Sequence, residues 1–200
     1  MPMPNSIRFG VAALILLSAA CLSPGAVAIG GDKKETVFFG SGARADTVVF
    51  VVDMSGSMSG PRFDRAVDEL IRSLNAMGPT QKFFVFFFNG ETHPMLGMRS
   101  AALMSATPAN RAKVIKWIKT LHPDADTAPE EALKRALQLK PQVIFFLTDG
   151  EIPPMTRETA KEFNHDHKTV IHTIAIGTEE GAEMLRAIAQ DNGGKYHFVP

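Results

Sequence analysis

The chain has 200 residues, 45% of them apolar, and its 21 lysines and arginines balance its 21 aspartates and glutamates. That length holds about one domain. The balanced charge excludes the basic excess of a nucleic-acid binder and the acidity of a disordered tail, so partner choice must come from a local site.

At the start, Arg8 precedes an apolar run over residues 9–22, Ser23-Pro24-Gly25 breaks it, and Ala26-Val27-Ala28 fits a small-x-small cleavage pattern. Residues 1–28 are therefore read as a signal peptide, and the expected location is exported: periplasmic, cell envelope or secreted. A retained membrane anchor is the alternative, but it needs about 20 continuous apolar residues and Pro24-Gly25 interrupts the run early. Cys21, the only cysteine, falls in this segment. Leu17-Ser18-Ala19-Ala20-Cys21 faintly resembles a lipobox, with Ser18 where leucine is preferred. Membrane attachment is expected only if the segment is uncleaved or lipidated. Cleavage after Ala28 leaves a mature domain without cysteine, which in an oxidising compartment relies on its core. Residues 29–45, with Gly30-Gly31, mixed charges and Gly40-Ser41-Gly42, read as a linker with room for a short edge strand at residues 36–39.

The run Thr47-Val48-Val49-Phe50-Val51-Val52 is apolar on both alternations, the pattern of a strand buried on both faces of a parallel sheet. It ends at Asp53-Met54-Ser55-Gly56-Ser57, where a carboxylate and two hydroxyls at spacing two gather three hard oxygens in one short loop. Pro61 opens a helix whose apolar positions Phe63, Ala66, Val67, Leu70, Ile71, Leu74 and Met77 fall on one face, closed by Gly78-Pro79. Residues 83–88 form a second fully buried strand. Asn89-Gly90 then reverses the chain into a short antiparallel edge strand near residues 91–96, where Pro94 marks the edge.

Residues 110–121 predict a helix with Val114, Ile115, Trp117, Ile118 and Leu121 inward. Its Arg111, Lys113, Lys116 and Lys119 read as a solvated face, with a docking patch for an acidic partner as the alternative. A helix over 129–140 follows, and Thr127 before Pro129 and Glu130 suits its capping box. Residues 142–148 are a third buried strand, ending at Asp149-Gly150. Then come a helix over 156–167, a strand over 169–176, a helix over 180–190 stopped by Asn192-Gly193-Gly194, and a last strand over 195–199. His165 and His167 read as a polar helix end, because positions i and i+2 of a helix point apart. This alternation gives an α/β fold, a Rossmann-like three-layer sandwich with a mostly parallel central sheet and one short antiparallel edge strand.

Three oxygens from one loop cannot fill an octahedral shell. Asp149 ends a second central strand, and sites in open parallel sheets form outside the carboxyl ends of strands; Thr127 is a third contributor. Each has a plain structural account, a turn for Asp149 and a cap for Thr127. Together, however, Asp53, Ser55, Ser57, Thr127 and Asp149 resemble the metal-ion-dependent adhesion site of the von Willebrand factor type A domain, over roughly residues 44 to 199. Asp124-Ala125-Asp126 departs from that family's pattern, which often has glycines there, and the family's closing helix has no counterpart after residue 199. The implied domain spans residues 46–200.

The resemblance implies a bound divalent cation, Mg²⁺ or alternatively Mn²⁺ or Ca²⁺, held directly by the hydroxyls while the aspartates often act through water. It also implies a protein partner whose Asp or Glu completes the ion's shell. Hydroxyl-rich ligation without imidazole disfavours zinc and copper. The expected function is thus an exported metal-dependent protein-binding module, not an enzyme. The alternatives are a metal-assisted hydrolase and a scaffold with an empty site. For hydrolysis a positioned base and nucleophile are missing. Gly56-Ser57-Met58-Ser59-Gly60 has Met58 where a nucleophile elbow has serine, and Glu151 is the one nearby candidate base.

Overall fold

The computed structural model describes residues 34–150 and 152–200. The signal-peptide reading of residues 1–28, the first residues of the expected linker and Glu151 lie outside them. In chain order the elements are β1 (Glu35–Phe38), β2 (Ser41–Arg44), β3 (Thr47–Asp53), α1 (Pro61–Ala76), β4 (Lys82–Phe88), β5 (Thr92–Pro94) and β6 (Met104–Ser105). They continue as α2 (Pro108–Ile118), α3 (Glu130–Gln138), β7 (Val143–Thr148), α4 (Pro154–Phe163), β8 (Val170–Ile176), α5 (Ala182–Asp191) and β9 (Tyr196–Val199).

The main sheet runs β5-β4-β3-β7-β8-β9, with β6 also paired to β4. β4, β3, β7, β8 and β9 are parallel to one another, while β5 and β6 are antiparallel to β4. The expected single antiparallel edge strand is therefore two short segments along one side of β4. The strands that read as apolar on both alternations, β3, β4 and β7, are the central ones, and every residue of β7 is buried. Helices on both faces explain why no polar alternation appears in them.

Register assigns the faces. Phe50 of β3 lies level with Phe145 of β7, and Phe38 of β1 packs edge-on against both rings, at 5.3 and 5.8 Å between centroids. On the same face Phe87 meets Phe63 of α1 and Trp117 of α2. The β1–β2 hairpin, α1 and α2 thus form one layer. On the other face Arg135 of α3 lies over Phe86 and the Thr173 hydroxyl donates to Leu185 O of α5 at 2.9 Å. α4 lies between α3 and α5.

The short strand expected at residues 36–39 is present as β1, but from residue 35 onward it pairs with β2 in a hairpin tied to the core, where a linker was expected. The Phe39 amide donates to Glu69 Oε1 at 2.7 Å and Ser73 Oγ donates to Val37 O. Its turn uses left-handed backbone at Phe39 and Gly40, a conformation that Gly40 supplies without steric cost. α4 ends at Phe163, so His165 and His167 occupy the turn beyond it rather than the helix.

Candidate metal centre

Because β3 and β7 are parallel neighbours, their carboxyl ends deliver Asp53 and Asp149 to the same end of the sheet. Asp53 closes β3 and has no exposed surface. Its Oδ1 accepts the Ser55 amide at 2.7 Å, which bends the chain away from the strand direction. Its Oδ2 accepts the hydroxyl of Thr148, the last residue of β7, at 2.6 Å.

The loop after Asp53 continues as one short helical turn, Gly56–Met58, anchored by the buried Met58. Gly60, at φ +78°, then leads into Pro61 and α1. Within the loop Ser55 Oγ lies 3.1 Å from Ser57 Oγ, and Ser57 Oγ donates to Asp149 Oδ1 at 2.8 Å. Ser55 is buried and Ser57 is exposed, so the oxygens run from the sheet outward to solvent.

A third segment is docked on this loop by its backbone. The Asp124 amide donates to Met54 O at 3.1 Å, and Ala125 O accepts the Gly56 amide at 3.0 Å. Beyond it the Ala128 amide donates to Asn89 O at the end of β4, and Asn89 Nδ2 donates to Asp124 Oδ1. Ala125 adopts φ +58°, the left-handed conformation that glycine takes at no steric cost. Thr127 is half-buried in this segment. The position before α3 is Pro129, and among the described residues the Thr127 hydroxyl enters no hydrogen bond. The capping box expected for it does not form.

The structure therefore joins Asp53, Ser55, Ser57 and Asp149 in one continuous cluster and lays the Thr127 segment against it without a side-chain bond from Thr127. Two members are absent from the sequence reading. Thr148 faces Asp53 by strand register, a placement that period-two alternation along β7 contains. Arg62, in the first turn of α1, donates from Nη1 to Asp149 Oδ2 at 2.9 Å and to Ser57 O at 3.3 Å.

Burial pushes the Asp53 carboxyl up from its ordinary value; hydrogen bonds from Ser55 and Thr148 oppose the rise and the charge of Asp149 adds to it. Among the described residues no cationic side chain pairs with Asp53. A buried carboxylate short of a counter-charge, beside three hydroxyls and a second carboxylate, is a donor set suited to a small hard cation. Among the described residues no group of three or more His, Cys, Asp or Glu is placed for a metal, so any ion here depends on the hydroxyls. Also among them, no helix is long and apolar enough to cross a membrane.

Residues 46–198 match the family model described as von Willebrand factor type A domain. Inter alpha-trypsin inhibitor heavy chain 4 of Mus musculus is 24% identical over 166 residues, covering 74% of this chain and 17% of that protein. The voltage-dependent calcium channel subunit alpha-2/delta-3 of Homo sapiens is 27% identical over 160 residues, covering 74% and 15%. The chain thus spans under a fifth of the length of these relatives. Among solved structures, a von Willebrand factor type A protein from Catenulispora acidiphila superposes with a TM-score of 0.68 at 19% identity, over 80% of this chain and 40% of that one. The central sheet, its flanking helices and the match over residues 46–198 together assign this chain to the von Willebrand factor type A domain family.

Proposed function

We propose that Asp53, Ser55, Ser57, Thr127 and Asp149 hold a divalent cation of the Mg²⁺ class, and that the protein is a metal-dependent protein-binding module. The observation that carries this reading is the chain of oxygens from Thr148 through Asp53, Ser55 and Ser57 to Asp149, which opens to solvent at Ser57. A bound Mg²⁺ would supply an electron-poor centre that accepts an outside oxygen as ligand. Thr148 and the Ser55 amide hold both oxygens of Asp53, so its carboxylate is fixed before any ion arrives. The uncommitted Thr127 hydroxyl has both lone pairs available. A partner protein's Asp or Glu is the ligand that fits the remaining position. With residues 1–28 read as an export signal, such binding would take place outside the cytoplasm. No turnover is proposed.

The test is a thermal melt in EDTA, Mg²⁺, Mn²⁺ and Ca²⁺, beside Asp53→Ala. Binding to the native state alone raises the melting temperature by linkage. A metal-dependent rise in the wild type that is absent from the mutant is expected. Equal melts in all four conditions would leave the fold without this function.

A further inference from the structure

Arg62 occupies a place that is built for it. Its Nη1 is shared between Asp149 Oδ2 and Ser57 O, at 2.9 and 3.3 Å. The Asp149 side chain is 1% exposed, whereas that of Arg62 is 42% exposed. At the end of β8, Gly177 adopts φ +79°, and a Cβ there would overlap the Arg62 side chain. Three other segments, the loop after β3, the end of β7 and the end of β8, therefore meet the guanidinium carried by the first turn of α1. The two oxygens of Asp149 are divided: Oδ1 takes the Ser57 hydroxyl and Oδ2 takes Arg62.

We infer that Arg62 is the residue that sets the balance of this site between cation and anion, weakening its hold on the metal and strengthening its hold on a partner carboxylate. The inference rests on the metal-site reading above. Asp53 and Asp149 carry two negative charges and the hydroxyls none. Without Arg62 a divalent ion would leave the cluster neutral, with little pull on an anion. With Arg62 the loaded cluster carries one positive charge, and a single carboxylate from a partner neutralises it. Before loading, the same guanidinium satisfies a carboxylate that is otherwise buried. Arg62 is a positioning residue, acting through Asp149 and through its field.

The test uses the full chain with Arg62→Gln, Arg62→Lys and Asp53→Ala. Mn²⁺ is titrated by water-proton relaxation, acetate is then titrated into the Mn²⁺-loaded protein, and each protein is melted in EDTA. Arg62→Gln is expected to bind Mn²⁺ roughly tenfold tighter, the size expected for removing a unit charge several ångströms from a divalent ion in a partly solvated site. It should bind acetate several-fold more weakly and melt below wild type in EDTA, because Asp149 loses its partner. Arg62→Lys, which keeps the charge, should stay near wild type in both titrations. If Arg62→Gln binds Mn²⁺ no tighter, or acetate no more weakly, while Asp53→Ala abolishes Mn²⁺ binding, the role of Arg62 is overturned and the metal site stands. If wild type and Asp53→Ala are alike in binding no Mn²⁺, the metal site itself fails and this inference with it.

Discussion

Thr148 donates its hydroxyl proton to Asp53 across the β3–β7 pair, Oγ1 to Oδ2 at 2.6 Å, with neither residue exposed to solvent. This bond joins the two central strands at the end where the candidate ligands gather. Thr148→Val keeps the shape and removes the donor, leaving a buried carboxylate with one bond fewer. A loss of about 1–3 kcal/mol is expected from denaturant unfolding at neutral pH, the usual cost of an unmet buried acceptor. Thr148→Ser, which keeps the hydroxyl, should recover most of it.

Asp53 itself separates folding from metal binding. Its carboxylate is buried, and no cationic side chain among the described residues pairs with it. In Asp53→Asn the amide oxygen still accepts the Ser55 proton, and the Thr148 hydroxyl can turn to accept from the amide nitrogen. Removing an uncompensated buried charge is expected to raise stability in EDTA by about 1–2 kcal/mol, in line with apolar or neutral replacements of buried ions elsewhere. The same variant should lose any gain from Mg²⁺. Calorimetry in EDTA and in Mg²⁺ reads both signs, and a lower EDTA melt would show the charge to be already compensated.

The β1–β2 hairpin belongs to the folded core. Phe38 is fully buried, with its ring against Phe39, Phe50 and Phe145. Phe38→Ala is expected to cost about 3–5 kcal/mol, the range for deleting a buried ring. A chain begun at residue 46 loses that ring together with the Glu69 and Ser73 bonds to the hairpin. It should melt well below the full chain, and equal melts would make the hairpin an ornament.

The sequence makes the central sheet legible because β3, β4 and β7 carry polar residues only at their ends and none on either alternation between, and a strand covered on both faces is written that way. Of the hairpin only the strand at residues 36–39 was legible; its partner β2 and its docking on the core were hidden for the opposite reason. Its four-residue strands mix charge, hydroxyls and glycine, and Phe38 is the one large side chain fully buried in them. Of the candidate site, Asp53, Ser55, Ser57 and Asp149 were gathered by the resemblance of their spacing and strand ends to the family's pattern, and the parallel β3–β7 pair brings those ends together. Arg62 could not, because its place depends on the missing side chain at Gly177, 115 positions along the chain, and on how α1 departs from its loop. The left-handed Ala125 was equally hidden, because alanine gives no signal for it. Helix ends moved by a few residues where proline or a turn supplied the boundary, as at Pro108 and Pro154.

His172 gives the fold a pH dependence of known sign. Its ring stacks on Phe145 at 5.4 Å, and its Nδ1 accepts the Lys195 amide at 3.1 Å, tying β8 to the entry of β9. Burial, with the nearby Lys195 charge, holds its pKa below the ordinary 6.5. Above 6.5 both folded and unfolded forms are neutral and the full stability is present. As pH falls through 6.5 the unfolded chain takes the proton first, so stability declines until the lower folded value is passed and then levels off. Asp191, held low chiefly by its hydrogen bond from Arg157, titrates below 3.8 and outside this window. Asp53, pushed up by burial, acts in the opposite sense as pH falls. The contribution of His172 is therefore read as a difference: wild type should lose more stability than His172→Gln between about pH 7 and pH 5 by urea unfolding. Parallel curves for the two proteins would show that the imidazole titrates freely in the fold.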